Sequence, residues 1–357
     1  MNVVTFLTSL AIGLAGIAGA QAQSYPSRPI TIIVPFAAGG PTDTMARILA
    51  DKMKDTLGQT LVIENVTGAG STIGTGRAVA ATPDGYTVIL GNWSSHVGAG
   101  ALYPVNWHIV RDLEPIAQLA TSTLMIVGRT GLPPKDLKEL IAWLKANPGK
   151  ATAVSVGAGS GAHICGLYFM EKTGTNFLFA QYRGGGPAMG DLVGNQIDLM
   201  CAEASQTLEH VRGGKMKAFV VMSSSRWAPL PDVPTMKEIG LDLEIPFWHG
   251  LWGPRGMPKD VVDKLNAAVV AAFADPGVQK RIADLGQTIP PRDQLTPEAL
   301  AAWHQAEVDK LPDIVPTSAL ADDDVARFDI AMNETDGMGF TQCAADLPQK
   351  VDRSSGR

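Results

Sequence analysis

Short apolar runs alternate with helical patterns along most of this chain, and a loop of small residues follows nearly every run. The first run, residues 30–34, is closed by Pro35; a Gly/Ala bend follows, then a helix with Met45, Ile48, Leu49 and Met53 on one face. A second run covers 61–63, a loop 68–70, a helix 73–81, and a third run 86–90 after the turn at Pro83, Asp84 and Gly85. Strands that alternate with helices must cross over in one direction, which gives mainly parallel sheets covered by helices.

The same rhythm resumes after Arg129, with a helix over 136–146, stopped at Asn147, Pro148 and Gly149, and a strand over 151–156. Further strands are expected over 177–181, 197–201 and 217–222. At 357 residues the chain is long enough for two cores. Segments 116–127 and 244–251 read as an outward and a return crossing, and amphipathic helices over 259–274 and 297–311 return to the first unit. The expected fold is therefore α/β, with two lobes, each a mainly parallel sheet flanked by helices, joined by a two-strand hinge. Lobe I takes residues 25–121 plus 246–320 and lobe II takes 122–245.

The ends differ from this pattern. The first 22 residues carry no charge and 3–18 are apolar, so 1–22 reads as a signal peptide cleaved after Ala20 or Ala22; an uncleaved anchor is the alternative. Residues 321–357, opening on Asp322, Asp323 and Asp324, have no periodicity and read as a poorly ordered tail.

Several function classes lose support. A net charge of −6 without a basic block argues against a nucleic-acid partner. Cys165, Cys201 and Cys343 are scattered and odd in number, and read as small core or tail residues. The six histidines form no H-E-x-x-H, so neither metal nor cofactor is expected. In the run from Gly68 to Gly74 the third glycine falls one place too late for a dinucleotide fingerprint, and no Walker-type ending exists. Ala158 stands where a nucleophile elbow needs glycine two places before Ser160, so no catalytic residues are assigned; a serine hydrolase using Ser160 and His163 is the rival reading.

The loops are more informative. Between the first strand and its helix, Gly40 suits the N-cap, Pro41 the first helical position and Asp43 the third. Such a start presents free N–H groups and favours an anion, although a plain strand-to-helix turn looks the same. Loops of similar character follow later strands: Asn92 to His96, Gly157 to His163, and Tyr182 to Pro187. All are expected at the carboxyl ends of strands, where open α/β sheets bind ligands. His96 and His163 read first as structural histidines, Trp93 as a core residue that could stack on a ligand, and Asp43 as a helix-start carboxylate. Glu203 could select a ligand bearing an amine or hydroxyl, and Arg183 is the cation in these loops.

Five segments together carry a resemblance: Tyr25, Pro26, Ser27, Arg28, Pro29 and Ile30; the loop from Pro35 to Asp43; Pro83, Asp84, Gly85, Tyr86 and Thr87; Tyr182, Arg183 and Gly184 with Gly186, Pro187 and Ala188; and Leu230, Pro231, Asp232, Val233, Pro234 and Thr235. From Tyr25 to about Leu320 the chain resembles the substrate-binding proteins of tripartite tricarboxylate transporters, the Bug family. The resemblance implies a type II periplasmic-binding-protein-like fold and a monomeric periplasmic receptor that delivers a small carboxylate, a di- or tricarboxylate or an aromatic one, to membrane transporter subunits. A ligand-dependent partner of a membrane sensor is a further alternative. Carried onto this sequence, the lobe I contacts are Ala37, Ala38, Gly39, Gly40, Thr42 and Asp43, with Trp93, Ser94, Ser95 and His96. From lobe II come Gly159, Ser160, Gly161, His163, Tyr182, Gly184, Glu203, Ala204 and Ser205. Trp93, Ser160 with Gly161, and Glu203 depart from the family pattern, which leaves the solute open. The tail after Leu320 falls outside that pattern.

Overall fold

The computed structural model describes residues 25–99, 103, 105–157, 159–182, 184–241 and 244–311. The expected signal peptide and tail, with Cys343, Ala158 and Arg183, lie outside the described residues.

Strand β1 (Ile30–Val34) lies between β2 (Leu61–Asn65) and β3 (Thr87–Asn92), and all three are parallel. The 17-residue strand β4 (Leu113–Arg129) links two groups of strands. From Leu113 to Thr123 it pairs antiparallel with β9 (Pro246–Pro254), which itself pairs antiparallel with β3. From Leu124 onward it pairs with β7 (Leu199–Glu203) and, from Met125, with β8 (Met216–Val221). Strand β5 (Thr152–Ser155) then runs parallel to both β7 and β6 (Leu178–Gln181). The order is β2-β1-β3-β9-β4-β7-β5-β6, with β8 on β4 as well. Register shifts between Pro115 and Ala117 and between Gln118 and Ala120 add local twist, which carries one strand from the first sheet into the second. The return path runs beside it, the Ile245 N–H donating to the Met222 carbonyl and Pro246 lying opposite Thr123. Two lobes joined through β4 and the start of β9 are the result, as in type II periplasmic binding proteins.

The helices are α1 (Pro41–Leu57), α2 (Thr72–Val79), α3 (Leu137–Ala146), α4 (Gly161–Thr173), α5 (Gly185–Val193), α6 (Ala204–Arg212), α7 (Lys259–Ala274), α8 (Pro276–Asp284) and α9 (Pro297–Asp309). Met45, Ile48, Leu49 and Met53 of α1 share one core with Val262, Leu265 and Val269 of α7 and with Ile30, Ile32 and Val34. The late helices thus pack on the first sheet, because their apolar stripes complete its outer face. A separate core joins Met125, Val127 and Val154 to Leu192 and Met200 under the second sheet.

The cysteines correct the sequence reading. Cys165 on α4 and Cys201 on β7 form a disulfide, with Cα atoms 6.2 Å apart. A separation of 36 residues gives no local signal; the pairing arises because α4 packs across β7.

Candidate functional site

Six segments, each at or just after the end of a strand, border a cavity of about 460 Å³ between the lobes. From lobe I it is lined by Phe36, Ala37, Gly40, Pro41 and Thr42, by Thr67 to Ser71, and by Asn92 and Ser94. Lobe II contributes Gly157, Ser160, Gly161 and Ala162, then Gln181, Tyr182 and Gly184 to Gly186, and finally Cys201 to Glu203 with Gln206. Leu124 of β4 and Phe247 of β9 complete it.

The lobes touch around this space. A Cβ on Gly184 would lie 3.1 Å from the Ala37 methyl, and one on Gly157 3.3 Å from the Tyr103 hydroxyl and 3.4 Å from Gly70 Cα. Deeper in, Ser94 Oγ accepts from the Gly161 N–H at 2.9 Å. Residues without bulky side chains are needed at these positions, since the two main chains approach almost directly.

Five helices begin at the cavity wall, α1 and α2 from lobe I and α4, α5 and α6 from lobe II; Ser71 and Glu203 are the N-caps of α2 and α6, while α1, α4 and α5 start on small-residue loops. The N-caps of these last three are Gly40, Ser160 and Gly184. Glycine has no side chain to cap with, so the first-turn N–H groups of α1 and α5 receive no N-cap bond. Each helix end also carries a partial positive charge. Among the described lining residues there is no lysine or arginine, and the one acid is Glu203. The wall thus presents main-chain donors without a cationic side chain among the described lining residues, an arrangement able to hold an anion.

Asp43 does not line this cavity; it shapes the loop that does. Its buried carboxylate accepts from the Gly39 N–H at 2.8 Å, from Arg47 Nε and Nη2 at 2.9 Å each, and from Asn65 Nδ2 at 3.0 Å. Burial raises its pKa, but these bonds, Arg47 first, outweigh it and hold the carboxyl below the usual range. Ala38 and Gly39 form the exposed outer side of the same bend. Thr42 points inward, where its Oγ1 accepts from Asn92 Nδ2 at 3.1 Å and lies 3.2 Å from His249 Nε2.

The loop after β3 departs most from expectation. Residues Ser94–Gly98 make a π-helical turn that leaves Ser94 facing the cavity and withdraws its neighbours into the core. Trp93 is fully buried. The His96 ring stacks on Trp252, centroids 3.8 Å apart, and sits so close over Gly91 that a Cβ there would be 2.2 Å away. Burial, with His304 nearby, depresses the His96 pKa far below the usual imidazole value. Ser95 Oγ is taken by Asn92 N–H at 3.0 Å and by His96 Nδ1 at 2.8 Å. Trp93, Ser95 and His96 are therefore framework rather than lining.

In lobe II, Ser160, Gly161, Tyr182, Gly184 and Glu203 reach the cavity, while Gly159, His163, Ala204 and Ser205 do not. Ser160 Oγ accepts from the His163 main-chain N–H at 3.3 Å, a helix N-cap, and the His163 ring lies against Phe179 with centroids 4.8 Å apart. That is not the nucleophile-to-imidazole bond a hydrolase needs. Ala204 is the buried first residue of α6, the Gly159 carbonyl faces Gly98, and Ser205 lines a neighbouring groove with Gly39. The Tyr182 ring lines the cavity while its hydroxyl donates to Asp191 Oδ2 at 2.8 Å. Among the described residues no cluster of His, Cys, Asp or Glu has the geometry of a metal centre.

Sequence reasoning placed Asn92 in the loop after the third strand but gave it no contact; its Oδ1 accepts from the N–H groups of Ser94 and Ser95 at 3.0 and 3.3 Å and so fixes the turn. It also set aside Gly68 to Ser71, judged only as a failed nucleotide motif. His249 and Gln287 lay outside any loop motif. The His249 pKa is lowered by burial and partly restored by Glu203, with Nε2 3.8 Å from Glu203 Oε2.

Comparison with known proteins agrees with this architecture. Residues 45–315 match the family model described as the tripartite tricarboxylate transporter family receptor. A UPF0065 protein in the TAR-I ttuE-ttuC′ intergenic region of Agrobacterium vitis is 39% identical over 302 residues, 83% of this chain and 86% of that protein. The solved periplasmic binding protein BugD superimposes with a TM-score of 0.77 at 41% identity, covering 81% of this chain and 97% of BugD. MatC from Rhodopseudomonas palustris, solved with bound malate, gives 0.79 at 37% identity, with 82% and 100% covered. The chain belongs to the tripartite tricarboxylate transporter receptor family.

Proposed function

We propose that this member of the receptor family captures a small carboxylate, a di- or tricarboxylate or an aromatic one, between its lobes and delivers it to the membrane subunits of a tripartite tricarboxylate-type transporter. The convergence of α1, α4 and α5 N-termini on one cavity between the lobes carries this reading. Each charge-assisted hydrogen bond contributes roughly 1.5–3 kcal/mol, so a handful, less ordering costs, support a micromolar complex of about −8 kcal/mol. The malate bound to MatC is a ligand of the same chemical class. Ser160 Oγ caps α4, in keeping with a binder rather than a catalyst.

Residues 1–22 act in this account as the export signal, with residues 25–121 and 246–320 as lobe I and 122–245 as lobe II. A disulfide in a chain with so few cysteines suits an oxidising compartment. Thermal-shift or tryptophan-fluorescence screening of the mature protein against a carboxylate library tests the reading. Stabilisation by carboxylates supports it, and silence toward all of them alongside a response to sugars or cations overturns it.

A further inference from the structure

We infer that Glu203 makes the cavity selective for carboxylates that also carry a hydrogen-bond donor, a hydroxyl or an ammonium, on their carbon frame. The inference rests on the carboxylate reading above and narrows it. Glu203 ends β7 and is the N-cap residue of α6. An acidic side chain at an N-cap ordinarily accepts from the first turn of its own helix, yet Glu203 makes no such bond. Its side chain instead lies on the cavity wall, with only 6% of the residue exposed.

The two carboxylate oxygens are treated differently. Oε1 accepts from Gln287 Nε2 at 2.6 Å, which fixes the orientation of the group. Oε2 has His249 Nε2 at 3.8 Å, too far for a hydrogen bond, and that nitrogen already has Thr42 Oγ1 at 3.2 Å. Oε2 thus receives no hydrogen bond from the described residues, in a cavity whose other described lining residues carry no opposite charge. Oε2 is not sealed off in this structure, but a guest that displaces solvent from it leaves a carboxylate oxygen unpaired unless the guest itself donates to it, so the missing partner is supplied by the guest.

The consequence is selective in both directions. A carboxylate seated on the helix N-termini brings a second negative charge near Glu203, and like charges held close between protein walls oppose each other more strongly than in bulk water. A donor on the ligand converts that opposition into a charge-assisted bond. A site built to bond a ligand hydroxyl or amine rejects the analogue lacking it far more effectively than an apolar pocket rejects a missing methylene. Because donors of either kind satisfy Oε2, the chemistry shared by hydroxy acids and amino acids is what the site reads.

Calorimetric titration of the mature protein with matched triplets tests this. The probes are unsubstituted, 2-hydroxy and 2-amino dicarboxylates of four, five and six carbons, together with phenylacetate, mandelate and phenylglycine. The wild type is expected to bind a donor-bearing member about tenfold or more tighter than its unsubstituted partner, the range of one hydrogen bond to a charged group. In Glu203→Gln that ratio is expected to fall to near unity through tighter binding of unsubstituted acids, a gain that also shows the variant is folded. Equal affinities within every triplet of the wild type, or an unchanged ratio in Glu203→Gln, overturn the inference and leave the carboxylate reading standing. Silence toward every triplet also overturns the inference, and the library screen then decides the carboxylate reading separately.

Discussion

Replacing Gly98 by alanine tests closure of the lobes without touching the ligand site. Gly98 does not line the cavity, but it closes the π-helical turn of lobe I directly beneath the loop after β5. A Cβ there would lie 2.4 Å from the Gly159 carbonyl oxygen, 3.2 Å from Ile164 Cδ1 and 3.3 Å from Trp93 Cζ3. Ordinary contact begins near 3.4 Å, so the two loops must separate by the difference, 3.4 − 2.4, or 1.0 Å. The obstacle is main chain, and no rotamer relieves it. Overpacking of this kind costs about 1–3 kcal/mol, which weakens ligand binding by about 5- to 150-fold when the cost falls on the closed form alone. With the lobes apart the clash vanishes, so the melting temperature of the ligand-free protein is expected to change little. Titration calorimetry and ligand-free melting of the same preparation separate the two effects. Gly190→Ala is the control, because a Cβ at that helical position of α5 meets nothing within 4 Å. Wild-type affinity in Gly98→Ala, or a loss of ligand-free stability that matches the loss of affinity, refutes the closure argument.

Acid is expected to destabilise the fold through buried imidazoles. Burial drives the His304 pKa from 6.5 to about 4, against a bond between its Nε2 and the His96 carbonyl that raises it. The unfolded chain then binds the extra proton first, so stability is lost as pH falls from about 6.5 toward 4, by about 3 kcal/mol for this residue alone. Urea unfolding at pH 7 and pH 5 measures the slope, and His304→Asn should flatten it. Asp43→Asn is expected to cost about 1–3 kcal/mol at pH 7 by weakening the bonds from Arg47, Asn65 and the Gly39 N–H. Since the folded Asp43 pKa lies below its ordinary 3.8, that difference should persist at pH 5 and shrink only as pH falls through the depressed value. Reducing Cys165–Cys201, which closes a 36-residue separation, is expected to cost roughly 2–4 kcal/mol in denaturant unfolding, and thiol titration of the exported protein should find both sulfurs blocked.

The first lobe was legible because its signals are local. The run at 30–34, Gly40 and Pro41, and the stripe of Met45, Ile48, Leu49 and Met53 each state a strand, a helix start and a buried face within a few residues. The β4 crossing was legible because segment 116–127 lies between the strand-and-helix rhythm of the first lobe and its resumption after Arg129. Helix α4 was not, because Gly161 to Gly166, Tyr168 and Phe169 are all buried, and a helix covered on several sides shows no 3.6-residue alternation. The site divides the same way. Small-residue loops announce themselves in sequence, so the loops that bring Gly40, Ser160, Gly161 and Gly184 to the cavity wall were legible. Which side chain of a loop faces inward depends on its exact winding, and the π-helical turn leaves Ser94 on the wall, as expected, while withdrawing Trp93, Ser95 and His96, which the resemblance had placed among the contacts. The disulfide, His249 and Gln287 come from packing between distant segments, for which a single sequence holds no local signal.

Calorimetric titration of the mature protein with the tightest acid from the screen and with its neutral methyl ester addresses the helix-terminus account most directly. The acid is expected to bind at micromolar concentration and the ester about 100-fold or more weakly, the loss of two charge-assisted bonds. Equal binding of acid and ester would contradict it.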